Sequence, residues 1–243
     1  MPYRPPQYRV QYSLGGGSLT PAVKLLLILT AAAFFLQVIS QRFGIYLETI
    51  FGLVPYRVTH RGFVWQPVSY LFLHGGLFHL GFNLLVLWMF GGELERVWGQ
   101  RYFLKYYFLC GVGAGLCVVA LSPSGQIPTI GASGALYGVL LAYGLLFPTR
   151  QIFLWFLVPI QAKYFVLVMG AIAFYSSLTV PGSGVSHLAH LGGLAVGYIY
   201  LRGWRHVRQL HGFYLEKKLK RLRKRYRVVD GDRDESKRPP HIH

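Results

Sequence analysis

The 243-residue chain is 53% hydrophobic and 16% aromatic, with a mean hydropathy of +0.38 and only 14% charged residues, against about a quarter charged in a typical water-soluble domain. Its formal net charge of +17 comes from 25 Lys and Arg against 8 Asp and Glu, and 14 of the 25 basic residues lie beyond Leu201. Disorder, collagen and a disulfide scaffold are excluded, because the body is apolar and Cys110 and Cys117, the only cysteines, share one apolar run where they read as small core residues.

A helix needs roughly 20 apolar residues to cross a hydrocarbon layer of about 30 Å. In chain order the sequence predicts an all-α polytopic membrane protein with six such helices, at about 22–40, 77–92, 102–121, 131–147, 163–180 and 186–203. The polar, Pro/Gly-rich leader before the first helix has no Ala-x-Ala site, so that helix is expected to be retained. Residues 41–76 are too many for a turn and too aromatic (Tyr46, Phe51, Tyr56, Phe63, Trp65) to float in water. They predict a long loop between helices one and two, lying in the membrane interface as short amphipathic pieces. The stretch Ile152–Ile160 is too short to span and is closed by Pro159, which predicts a surface-lying or re-entrant segment. The membrane domain is thus 22–203, between an N-terminal segment 1–21 and a basic tail 204–243.

If both termini are cytoplasmic, 22 of the 25 basic residues fall on the inner side, and only Arg42, Arg57 and Arg61 on the outer. The positive-inside rule therefore predicts a multi-pass protein of the cell membrane with both termini in the cytoplasm.

Polar groups inside the spans are costly in hydrocarbon and so point to partners or a purpose. The second span holds His79 and Asn83, with His74 just before it; the fourth holds Ser133 in Gly131-Ala132-Ser133-Gly134; the sixth holds His187 and His190. Helices two, four and six all run from outside to inside, which puts His79, Ser133 and His190 within about one and a half turns of their outer ends. The fourth span, about 17 residues or roughly 25 Å at 1.5 Å per residue, is short for the bilayer, so its outer end is expected to be recessed and reached by water through a cavity. Gly134 and Gly138 on span four and Gly193 and Gly197 on span six are small-xxx-small pairs. They predict close packing of those two helices, with Ser133 in reach of a histidine.

A serine hydroxyl becomes a useful nucleophile when a neutral imidazole takes its proton, and Ser133 and His190 fit those roles. Gly131 and Gly134 leave Ser133 sterically bare at a helix start, where unpaired N–H groups and the positive dipole end favour an oxyanion. His79 and Asn83, four apart on one helical face, offer further donors, and Tyr137, one turn after Ser133, offers a ring against which a histidine can be oriented. Spans four to six contain no Asp or Glu, which makes the constellation a Ser-His dyad.

The run Gly131-Ala132-Ser133-Gly134-Ala135-Leu136-Tyr137-Gly138, with Ala189-His190-Leu191-Gly192-Gly193 and His74-x4-His79-x3-Asn83 followed by Gly91-Gly92 and Glu95-Arg96, resembles the rhomboid intramembrane serine proteases. Trp65-Gln66 in the long outer segment is similar to that family's loop, and the resemblance covers about residues 40–203. It implies a rhomboid-like bundle in which Ser133 is the nucleophile and His190 the base. It also implies that His79, Asn83 and the Ser133 N–H line the oxyanion hole, and that Tyr137 stacks on His190. It further implies cleavage of transmembrane protein substrates near the outer face, without metal or other cofactor.

Three rival readings are weaker. Four imidazoles (His74, His79, His187, His190) could hold a metal, but such sites usually recruit a carboxylate or thiolate, and residues five apart on a regular helix point about 140° from each other. An inactive rhomboid-like chaperone or adaptor should lack the Ser or the His, and both are present. A transporter would need a charged residue deep in a span. The tail segment Tyr214–Arg227 spaces Leu215, Leu219, Leu222 and Tyr226 at helical intervals among cations, which suits anionic lipid or a simple topological anchor rather than nucleic acid.

Overall fold

The computed structural model describes residues 18–154, 158–179 and 187–203. The leader up to residue 17, the connection 180–186 and the basic tail with its Tyr214–Arg227 segment lie outside the described residues. Helix α1 (Pro21–Arg42) begins on a proline, whose fixed φ suits the first helical position and whose missing N–H would have been unpaired there anyway. The connection beyond it folds into three short helices, α2 (Leu47–Phe51), α3 (Pro55–Arg61) and α4 (Gln66–Ser69), and a 3-10 turn at Tyr70–Phe72. Next comes α5 (Leu77–Val86), which passes through a π-helical turn, Leu87–Gly91, into α6 (Gly92–Trp98). Gly99, at φ 80°, re-aims the chain into α7 (Gln100–Leu121). Then follow α8 (Ser133–Leu146), strands β1 (Gln151–Leu154) and β2 (Val158–Gln161), α9 (Ala162–Thr179), and a helix over 187–203, α10.

Four helical stretches, Pro21–Arg42, Leu77–Trp98, Gln100–Leu121 and Ala162–Thr179, are long and apolar enough to cross a membrane, and α8 is a shorter apolar helix of 14 residues. Ten residues of α8 are buried, all round its surface. A helix apolar on every face belongs at the centre of a bundle. Around it pack α7, with Phe103, Tyr106, Tyr107 and Cys110 fully buried, and the 3-10 turn with Tyr70 and Leu71.

Two expectations need correction. The second span was expected to end at residue 92, before Glu93, Glu95 and Arg96, yet the helix continues to Trp98. Glu95 is only 3% exposed, and its carboxylate accepts the N–H groups of Ala22 at 2.8 Å and Val23 at 3.0 Å. These are first-turn donors of α1 with no intrahelical acceptor, and they sit at the positive end of its dipole. Glu93 is taken up by an ion pair with Arg150. Glu95 is thus a charged residue buried near the end of its helix, where it is bound in a structural cap.

The second correction concerns the all-helical class. Strands Gln151–Leu154 and Val158–Gln161 pair antiparallel as a two-stranded ribbon, with Gln151 opposite Gln161 and Phe153 opposite Pro159. A ribbon of two strands has only edges, so a proline without an N–H is tolerated in it.

Candidate active site

The site is built where α8 starts. Glycines at the α8–α10 contact set its geometry: a Cβ at Gly193 would overlap the Gly134 carbonyl oxygen, and one at Gly197 would lie 3.3 Å from the Gly138 Cα. The two small-xxx-small pairs thus face each other, and α8 and α10 approach backbone to backbone. Ser133 and His190, each one turn or less from these contacts, are brought together: His190 Nε2 lies 2.7 Å from Ser133 Oγ. The Tyr137 ring stacks on His190 with centroids 4.3 Å apart and planes 13° from parallel. His187, the other histidine of α10, has its ring edge-on to His190 at 5.9 Å.

The loop entering α8 is braced on both sides. Thr129 and Leu53 exchange backbone hydrogen bonds of 2.8 and 2.9 Å, and the Gly131 N–H donates to the Tyr70 carbonyl at 2.9 Å. Gly131 has φ 119°, and a Cβ there would lie 2.8 Å from His79 Cε1 and Nε2. Only glycine fits both the conformation and the close approach. A Cβ at Gly134 would come within 2.7 Å of the Ala114 Cβ, so that glycine seats α8 on α7.

His79 faces Ser133 across Gly131, and its Nδ1 accepts the Gly75 N–H at 3.3 Å. The neutral ring then carries its proton on Nε2, the nitrogen on the Gly131 side. Asn83 donates one Nδ2 hydrogen to the His79 carbonyl at 2.7 Å, as its position one turn later allows. A cavity of about 280 Å³ is lined by the four polar groups, His79, Asn83, Ser133 and His190, together with apolar residues that include Phe82, Leu136 and Met169. Six of the residues expected to form the site, His79, Asn83, Gly131, Ser133, Tyr137 and His190, line this cavity, and Gly134 packs beside it against Ala114.

The geometry of His74 differs from the expected one. The helix starts at Leu77, so His74 and His79 do not share a regular helical face, and their rings meet edge to face with centroids 5.0 Å apart. The sequence reading also passed over Gln37 on α1. Its side chain, 2% exposed, holds the His74 peptide by hydrogen bonds in both directions. An amide within the mostly apolar run of α1 was the available signal.

Comparison with known proteins shows the family. A model of the Rhomboid domain matches residues 61–206, more than half of the chain. The protein belongs to the rhomboid family. It is 28% identical over 181 residues to "Rhomboid protein 1, mitochondrial" of Saccharomyces cerevisiae, covering 71% of this chain and 49% of that protein. It is 31% identical over 148 residues to "Rhomboid protease GluP" of Bacillus subtilis, covering 61% of this chain and 27% of that protein. To "Putative rhomboid protease YdcA" of Bacillus subtilis it is 27% identical over 135 residues, covering 56% of this chain and 64% of that protein. The chain therefore spans about half the length of the yeast relative and about a quarter of GluP. The family includes proteases, and with its membrane-spanning helices this chain is an integral membrane protein.

Proposed function

We propose that this protein is an intramembrane serine endopeptidase that hydrolyses peptide bonds of transmembrane protein substrates near the outer face of the cell membrane. The single observation that carries the reading is the 2.7 Å approach of His190 Nε2 to Ser133 Oγ inside a helical bundle. Ser133 Oγ attacks the scissile carbonyl while His190 takes its proton, and His190 then gives that proton to the leaving amine. Water, deprotonated by the same imidazole, hydrolyses the acyl-enzyme ester and restores the hydroxyl. The oxyanion accepts hydrogen bonds from the Ser133 N–H, the His79 Nε2–H and the free Nδ2 hydrogen of Asn83. Tyr137 stacks on the face of the His190 ring and so orients it, a task that a triad gives to a carboxylate at Nδ1.

The protein crosses the membrane six times, by α1, α5–α6, α7, α8, α9 and α10, with both termini in the cytoplasm. The 14 residues of α8 span about 21 Å. That shortness supports a hydroxyl recessed below the outer surface and wetted from the cavity. The loop of α2 to α4 lies in the outer interface, a reading supported by the exposed side chains of Tyr46, Phe51, Val64 and Trp65. The residues involved need no metal or cofactor for this chemistry.

The test is incubation of detergent-purified full-length protein with a model single-pass substrate, with mass spectrometry locating the cut. The wild type should cleave at the outer end of the substrate helix and Ser133→Ala should not. Function retained in Ser133→Ala would favour an inactive adaptor of the same fold.

A further inference from the structure

Gln37 is a buried polar side chain of α1, and each of its hydrogen-bonding groups is engaged. Its Nε2 donates to the His74 carbonyl at 2.9 Å and to Glu48 Oε1 at 3.2 Å, while its Oε1 accepts the His74 N–H at 3.1 Å. Both polar groups of one peptide unit's residue are thus held by a single side chain, at a position where Gln37 is 2% and His74 0% exposed. Glu48, which also accepts from Gln41 at 2.7 Å, ties this clamp to α2 in the outer loop.

The residue after the clamped one is Gly75, whose N–H donates to His79 Nδ1. The His74 ring itself packs against the edge of the His79 ring. A peptide fixed at His74 therefore fixes the direction of the next N–H. That N–H selects which nitrogen of His79 carries the proton, and the neighbouring ring limits how far the imidazole can turn.

We propose that Gln37 is a positioning residue: by clamping the His74 peptide it holds the Gly75 N–H and the His74 ring against His79, and so keeps the His79 Nε2–H aimed toward Ser133. The catalytic consequence rests on the protease reading above; the clamp itself does not. The other buried residues of α1, Ala22, Val23, Leu26 and Thr30, lie nearer its start.

The near-isosteric Gln37→Met removes the clamp with little change in volume. Two measurements on the full chain in detergent test it. The first is the side-chain 15N spectrum, with the His79 signals assigned by their loss in His79→Ala. His79 should be a single Nε2-protonated tautomer in the wild type and a mixture in Gln37→Met. An unchanged His79 signal would overturn the proposal. The second is turnover of the model substrate: kcat should fall about tenfold with KM within twofold, and the same substitution in a His79→Ala background should cost less than twofold further. An equal loss in both backgrounds would mean that Gln37 acts through general stability and would overturn the positioning role. A tautomer change in a protein whose wild type cleaves nothing would support the clamp and remove the protease reading. If Gln37→Met does not accumulate as folded protein, Glu48→Met removes the carboxylate that accepts from the same amide, at a half-buried position, and carries both measurements, with a smaller loss expected.

Discussion

Gly193 on α10 lies so close to the carbonyl oxygen of Gly134 on α8 that a single methyl group at Gly193 would overlap it. This contact is next to Ser133 in one helix and three residues from His190 in the other, so the separation of the two backbones sets the separation of hydroxyl and imidazole. A backbone oxygen cannot swing aside as a flexible side chain can, so the helices themselves must part.

Gly193→Ala should therefore destabilise the protein by about 1–3 kcal/mol, as overpacking does, and reduce cleavage by at least about 100-fold under conditions where the protein is still folded. Gly81→Ala is the control. That glycine is in α5 with open space around it, so alanine should be neutral or stabilising by up to about 1 kcal/mol. Thermal unfolding in detergent, read beside turnover, checks both.

Gly131→Ala separates site geometry from fold stability. Its φ of 119° and the 2.8 Å approach to His79 make any Cβ strained. The expected stability cost is only about 1–3 kcal/mol because the residue is in a loop. The displaced His79 should lower kcat by about 100-fold or more, the effect of losing one oxyanion donor. Steady-state kinetics with the unfolding midpoint in parallel would show the disproportion.

Tyr137 is predicted to act through its ring face. The stacked geometry on His190 survives in Tyr137→Phe, which should keep activity within about threefold. Tyr137→Leu loses the flat surface, worth about 0.5–1.5 kcal/mol for an aromatic pair, and should cost about tenfold in kcat with KM little changed.

Glu95→Ala tests the buried carboxylate as a cap. Loss of its two hydrogen bonds to the start of α1 should cost about 1–3 kcal/mol of stability. Turnover of the folded fraction should stay within about threefold, since the cap is remote from Ser133. A large kcat effect at unchanged stability would instead give Glu95 a part in the reaction.

The site was legible in the sequence to the extent that its parts repeat with helical spacing. Ser133 with Tyr137, His79 with Asn83, and the two glycine pairs are all i, i+4 relationships, and such spacing places groups on one face without knowledge of the rest of the fold. Depth added the remaining constraint, since helices of the same direction put Ser133, His79 and His190 at one level. What could not be read was irregular backbone. The Gly75–Gly76 turn moved His74 off the helix and brought it to Gln37, a contact across 37 residues that no period encodes. Glu95 misled because a charge normally ends a span; its partners, the N–H groups of Ala22 and Val23, are more than 70 residues away. The ribbon of β1 and β2 was hidden by an apolar run with a proline, which resembles a buried helix fragment as readily as a strand.

The most direct test of the Ser133–His190 pairing is labelling of the purified, detergent-solubilised protein with a fluorophosphonate, with the modified peptide mapped by mass spectrometry. The adduct should form on Ser133 in the wild type, and its rate should fall by at least about 1,000-fold in a folded His190→Ala variant, because the imidazole 2.7 Å away is the group that activates the hydroxyl. Labelling of Ser133 at the wild-type rate without His190, or no labelling of Ser133 in protein that is fully folded, would contradict the account.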